Sequence, residues 1–119
     1  MEDKRELQRI IAGAYGTSAY HEYSNLPFYP VITDGVLAVA DAAECFWLLD
    51  IIGSYQTHER LTWTFQVWIL HCSDDGSGVI TGYNDTVKVI EHCLEHIDFP
   101  LETIKLYLID GVLLLPSEY

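Results

Sequence analysis

The spacing of apolar residues changes from three or four in the first half of the chain to two in the second half. Helical spacing begins at Leu7 and predicts a first helix over about residues 3–14. It resumes after Thr33, a residue type that caps helices, and runs to about residue 56 with a break near residues 42–44. Alternation then marks strands. This order predicts an α+β fold, with N-terminal helices packed on one face of a small antiparallel β-sheet.

Turn sequences divide the second half into short strands. Alternation over residues 63–69 marks one strand, and SDDGSG followed by VITGYND predicts a turn and a second strand. TVKVIEHCLEHI fits a strand or a helix, but its β-branched residues and the preceding turn favour a strand. Two apolar runs, each a strand or a short helical turn, meet at Asp110 and Gly111, a common hairpin dipeptide. One core serves about 100–200 residues, so residues 1–119 are expected to form a single domain.

The charge balance restricts the partners of such a fold. Asp and Glu number 18 against 6 Lys and Arg, a formal net charge of −12, while 50% of the residues are apolar. The apolar content excludes a disordered acidic tail, so the negative charge must lie on a folded surface. Direct binding to nucleic acid or to an anionic membrane would be repulsive. A basic protein partner is therefore expected.

The chain reads as an intracellular protein. Its start, MEDKRELQRII, lacks the apolar stretch of a signal peptide, and the run 109–116 is too short to cross a bilayer. Three cysteines, Cys45, Cys72 and Cys93, lie in apolar sequence and are odd in number, which indicates reduced core thiols. We expect a cytoplasmic location with no membrane contact.

Candidate catalytic and metal-binding residues are few. Pairing of two strands could bring together five ligand-type residues, His71, Cys72, His92, Cys93 and His96. They lack the repeated CxxC pairs of a zinc site, and adjacent strand residues point to opposite faces. A Cys-His nucleophile lacks any local activating motif. The expectation is a protein that is not an enzyme and has no metal or cofactor.

Two aspartates lie in helical sequence. Asp34 follows Thr33, so it is expected in the first turn of a helix, where it complements the helix dipole. Asp50 lies between Leu49 and Ile51 and predicts a buried carboxylate with a hydrogen-bond donor beside it.

Acidic residues outnumber basic ones along most of the chain. No Lys or Arg lies between Ile10 and Glu59, and Lys88 alone interrupts the acidic stretch that ends before Lys105. The acids from the turns and from the third strand are expected to form an anionic edge of the sheet. Residues 15–30 predict a loop with tyrosine anchors that covers the core or contacts a partner. The candidate partner-binding residues are Asp74, Asp75, Asp85, Glu91, Glu95, Asp98, Tyr20 and Tyr23.

Three segments carry a resemblance: TDGV at 33–36, FWLLDIIGSYQ at 46–56, and FPLETIKLYLIDGVLLLPSEY at 99–119. In these segments the chain resembles a family of small domains of unknown function from bacterial genomes, plasmids and phages. The resemblance implies a mobile-element setting and a compact α+β fold. It covers residues 30–119 and leaves out the first thirty.

Charge and setting together suggest a function. The expected role is an inhibitor whose carboxylates imitate phosphates in the DNA-binding channel of a basic partner, in its most concrete form an anti-CRISPR protein acting on a Cas effector. A first alternative is a plasmid or phage accessory module whose charge serves solubility. A second alternative is a small enzyme that uses the His and Cys residues.

Overall fold

The computed structural model describes residues 2–13, 20–22, 30–62 and 64–119. These parts of the chain contain three α-helices and a seven-stranded sheet. The helices are α1 (Glu2–Gly13), α2 (Asp34–Ala42) and α3 (Phe46–Ser54). The predicted break between the second and third helices is confirmed, and Glu44 makes it with a positive φ of 52°. No helix in the described residues is long and apolar enough to cross a membrane.

The sheet is mostly antiparallel. Its strands are β1 (Tyr20–His21), β2 (Val31–Thr33), β3 (Gln66–Cys72), β4 (Gly78–Asn84), β5 (Val87–Leu94), β6 (Thr103–Ile109) and β7 (Val112–Leu114). Their spatial order is β1-β2-β7-β6-β3-β4-β5, and β2 pairs with β7 in parallel while the other described pairs are antiparallel. The α+β prediction is confirmed, as is the strand assignment of residues 87–94.

Alternation along the strands gives the sheet one buried face. Trp68 and Leu70 of β3, Ile80 of β4 and Leu106 of β6 are buried together with Ile52 of α3. These side chains form the core between the sheet and the helices. The opposite face of the sheet, called the outer face below, is partly exposed along β3 to β6.

Two short strands were not expected from the sequence. Residues 15–30 were predicted to be a loop, but Tyr20 and His21 form β1 and pair with Thr33 and Ile32 of β2. Strands of two and three residues are too short to show an alternating pattern, and only their partners define them. Residues 15–19 and 23–29 of the predicted loop, which include Tyr23, lie outside the described residues.

Candidate functional site

One end of the sheet collects acidic residues from several loops. Four strand termini meet at this end of the antiparallel ladder: the end of β3, the start of β4, the end of β5 and the start of β6. Cys72 pairs with Gly78, and Gly78 pairs with Leu94. Two backbone hydrogen bonds tie the loops together: Ile97 N donates to the Gly76 carbonyl at 2.8 Å, and Cys72 N donates to the Glu102 carbonyl at 2.8 Å.

Six exposed acidic residues lie in the loops at this end of the sheet. They come from three loops: the α2–α3 junction, the β3–β4 turn and the β5–β6 connection. We call them the acidic end: Glu44, Asp74, Asp75, Glu95, Asp98 and Glu102. Glu44 and Asp98, from segments far apart in sequence, line a shared cavity of about 220 Å³ with Ala42, Ala43 and Pro100.

The acidic end has no cationic side chain in its own loops. Residues 43–45, 73–77 and 95–102 contain no Lys or Arg. One carboxylate there also stabilises the turn, because Asp75 Oδ1 accepts hydrogen bonds from Ser77 Oγ at 2.6 Å and from Ser77 N at 3.0 Å. These bonds lower the pKa of Asp75 below its ordinary value. Asp75 is therefore ionised at neutral pH, and the acidic end is a concentrated negative surface.

The structure separates the predicted partner-binding residues into distinct regions. Asp74, Asp75, Glu95 and Asp98 lie together in the acidic end. Asp85 lies in the β4–β5 turn at the opposite end of β4, roughly 20 Å away by the length of a seven-residue strand. Glu91 lies midway along β5, where Lys88 Nζ donates to its Oε1 at 2.9 Å.

The predicted tyrosine contacts lie elsewhere. Tyr20 is 62% exposed in β1, at the sheet edge opposite β5, and Tyr23 lies outside the described residues. The acidic end therefore does not include Tyr20.

The His and Cys residues are kept apart by the sheet order. β4 lies between β3 and β5, and its Val79 pairs with His71 on one side and with Cys93 on the other. His92 lies on the core side of β5, where its Nδ1 is 2.7 Å from the Tyr55 hydroxyl. Within the described ranges, no group of three or more His, Cys, Asp or Glu residues is placed to hold a metal ion.

Two expectations about single residues are wrong. Asp50 is exposed, because it lies on the face of α3 that points away from the core. Of the three cysteines, Cys45 alone is fully buried, whereas Cys72 is half-buried and Cys93 is exposed on β5. Apolar neighbours in sequence do not decide burial, since each of these positions depends on which face of its element meets the core.

A second polar cluster joins the start of α2 to the C-terminal segment. Thr33 caps α2, as predicted, by accepting a hydrogen bond from Val36 N at 3.3 Å. Glu118, in the 3-10 turn Pro116–Glu118, accepts from Thr33 Oγ1 at 2.6 Å and from Gly35 N at 3.3 Å. Beside it, His21 Nε2 and Asp34 Oδ1 are 2.6 Å apart. Glu118 thus supplies the negative charge that a helix N-terminus favours.

Sequence reasoning missed three residues in these clusters. Glu44 and Glu102 belong to the acidic end although 58 positions of sequence separate them. Glu118 meets the TDG segment, which lies 83 to 85 residues earlier. The one signal in the sequence was that TDGV and PSEY both belong to the segments that carried the resemblance.

Comparisons with known proteins give a family and no further relative. Neither the curated proteins nor the solved structures include a significant match to this chain. A family match covers residues 5–119. It therefore extends beyond the resemblance at residues 30–119 and includes most of the first thirty residues. The chain belongs to DUF6876, a family of unknown function.

Proposed function

We propose that this protein is a non-enzymatic inhibitor, acting in the cytoplasm of a bacterial host, whose acidic end occupies a basic nucleic-acid-binding groove of a protein partner. One observation carries the proposal: six exposed carboxylates from three separate loops lie at one end of the sheet, and these loops contain no Lys or Arg.

The mechanism is electrostatic competition. A groove that binds nucleic acid is lined with Lys and Arg placed to contact phosphates. Carboxylates held on a rigid sheet end would pair with those side chains and exclude the nucleic acid. Complementary surface charge also steers the encounter, so much of the effect is expected in the association rate.

A Cas effector is the first partner to test, which would make the protein an anti-CRISPR. The resemblance to proteins of plasmids and phages supports this choice, since a mobile element gains from blocking DNA recognition. The alternative is a plasmid or phage accessory module with another partner, in which the charge serves only solubility.

The test compares two variants with the same change in net charge. The first neutralises the acidic end through Asp74→Asn, Glu95→Gln and Asp98→Asn, and leaves Asp75 to hold its turn. The control neutralises three exposed acids elsewhere: Glu59→Gln, Asp85→Asn and Asp110→Asn. Asn suits the last two positions because both have positive φ.

Binding to a purified Cas effector is then measured by titration as the salt concentration rises. We expect the acidic-end variant to bind roughly tenfold more weakly than the parent, and the control to bind like the parent. Parent binding should fall steeply between about 0.1 and 1 M salt, as the screening length shortens from about 10 to 3 Å. Equal binding by both variants, independent of salt, would contradict the proposal. A parent that binds no effector would leave the accessory-module alternative in its place.

A further inference from the structure

The strand β5 forms a long edge of the sheet. It runs for eight residues, Val87–Leu94, and its outer side pairs with no strand in the part of the chain that the structure describes. The opposite edge, β1, has two residues. An exposed edge of this length presents unpaired backbone groups to a further strand.

From Val87 to His92, the side chains of β5 lie on the core side or on the outer face in an order that is the same from either end of the segment. Val89 is an extra residue in the ladder, because Gly82 pairs with Ile90 while the next residue, Tyr83, pairs with Lys88. Val89 and Ile90 both pack on the core side, and His92 reaches Tyr55 on that side. Lys88 and Glu91 are in contact on the outer face.

We propose that β5 pairs with β5 of a second copy of this chain, antiparallel and about a two-fold axis between Val89 and Ile90. Lys88 then lies opposite Glu91 of the second copy, and the reverse pair forms by symmetry. Val87, which is 62% exposed, lies opposite His92 of the second copy. Every residue from Val87 to His92 faces a residue on the same side of the joined sheet.

Charge and side-chain direction favour this register over the neighbouring ones. A shift that places Glu91 opposite Glu91 of the second copy brings two like charges together, which destabilises a cross-strand pair. A shift of one residue places core-side residues opposite outer-face residues. Bulges and lysines protect many edge strands from pairing. Here the bulge lies on the two-fold axis, and Lys88 lies opposite the carboxylate of Glu91 of the second copy.

The antiparallel arrangement also keeps the strongest charges apart. A two-fold axis across β5 directs the acidic ends of the two copies toward opposite ends of the joined sheet. Each acidic end then lies nearer to the other copy's Asp85 turn than to the other copy's acidic end. The acidic ends therefore remain available to two partners.

A charge exchange tests the proposal by sedimentation equilibrium over a range of protein concentrations. The parent is expected to dimerise, and Glu91→Lys and Lys88→Glu, each of which makes both cross-strand pairs repulsive, should raise the dimer dissociation constant roughly tenfold or more. The double variant Lys88→Glu with Glu91→Lys restores opposite charges and should recover the dimer. Glu102→Lys, an exposed acid outside β5, should dimerise like the parent.

Three results would overturn the inference: a parent that stays monomeric at every concentration, single variants that dimerise like the parent, or a double variant that stays as weak as the single ones. Circular dichroism checks that each variant is folded. If one single variant is unfolded, the other and the double variant still decide the outcome.

Discussion

Gln66 is a fully buried amide whose hydrogen-bonding groups are all used. Its Nε2 donates to Gln56 Oε1 at 2.9 Å and to the Thr62 carbonyl at 2.9 Å, and its Oε1 accepts from Gln56 Nε2 at 3.0 Å and from Trp68 Nε1 at 2.7 Å. The network joins the end of α3 to the start of β3. Buried polar groups are favourable only when satisfied in this way.

Gln66→Leu should therefore be strongly destabilising despite its gain in hydrophobicity. It leaves Trp68 Nε1 and the Gln56 side chain with fewer partners, and each unsatisfied buried group costs about 1–3 kcal/mol. We expect a loss of about 3 kcal/mol in the free energy of unfolding, measured with urea. Gln8→Leu, the same change on the exposed side of α1, should alter it by less than about 0.5 kcal/mol. Equal losses would show that the network contributes nothing specific.

Thiol reactivity should separate the three cysteines. Burial raises the pKa of Cys45 to about 11, so at pH 8 about one thousandth of that thiol is the reactive thiolate. Burial also raises the pKa of the half-buried Cys72, whereas Cys93 is exposed. Timed alkylation followed by mass spectrometry should modify Cys93 first and Cys45 only on unfolding. Early modification of Cys45 would contradict its buried position.

The start of α2 and the C-terminal turn stabilise each other, and Gly35 is where they meet most closely. A Cβ on Gly35 would lie 2.7 Å from Glu118 Oε1 and 2.8 Å from its Cδ. Glu118 also accepts from Leu115 N at 3.0 Å, which holds its carboxylate in place. A larger residue at position 35 must therefore displace the carboxylate from the helix N-terminus.

Gly35→Ala should cost about 1–3 kcal/mol of unfolding free energy in the parent, because the overlap breaks the contacts of Glu118. In a Glu118→Ala background the same change should cost much less, since the overlapping carboxylate is gone and Ala favours a helix over Gly. Chemical denaturation of the four proteins in this double-mutant cycle measures the coupling. Equal costs in both backgrounds would place the strain elsewhere.

These elements also show what sequence patterns predict. The helices and the hairpins of β3 to β7 have local signals: apolar spacing, Thr33 as a cap, SDDGSG and Asp110-Gly111 as turns. β1 and β2 have none, because three or fewer residues carry no period and their pairing partners are distant. Gln66 reads from the sequence as a solvent-facing residue, since its burial depends on Gln56 in another element.

The sheet as a whole depends on its last two strands. β6 and β7 lie between β2 and β3 and carry buried Ile104, Leu106, Leu108 and Leu113. Deleting residues 104–119 should abolish the cooperative thermal transition, since the two halves of the sheet lose their connection and several large aliphatic side chains lose about 1.5–3 kcal/mol of burial each. A truncated protein that melts like the parent would refute this dependence.

Across the whole molecule, the candidate site was only partly predictable. The stretches of acids without neighbouring cations are visible in the sequence, and four members of the acidic end are among the predicted partner-binding residues: Asp74, Asp75, Glu95 and Asp98. It could not group them, because an antiparallel ladder sends alternate turns to opposite ends. For that reason Asp85 lies far from the acidic end. No local pattern in the sequence places Glu44 and Glu102 beside the other four acids.

The parallel pairing of β2 with β7 limits how early this part of the sheet can fold during synthesis. Residues 31–33 are made before residues 112–114, their neighbours in the sheet, which follow 81 positions later in the sequence. Domains tend to fold as units during synthesis, but here β2 cannot pair with β7 until residues 112–114 have been made. Until then the nascent chain exposes Ile32 of β2, which is fully buried in the folded sheet, so a chaperone that binds emerging chains is expected to bind this segment.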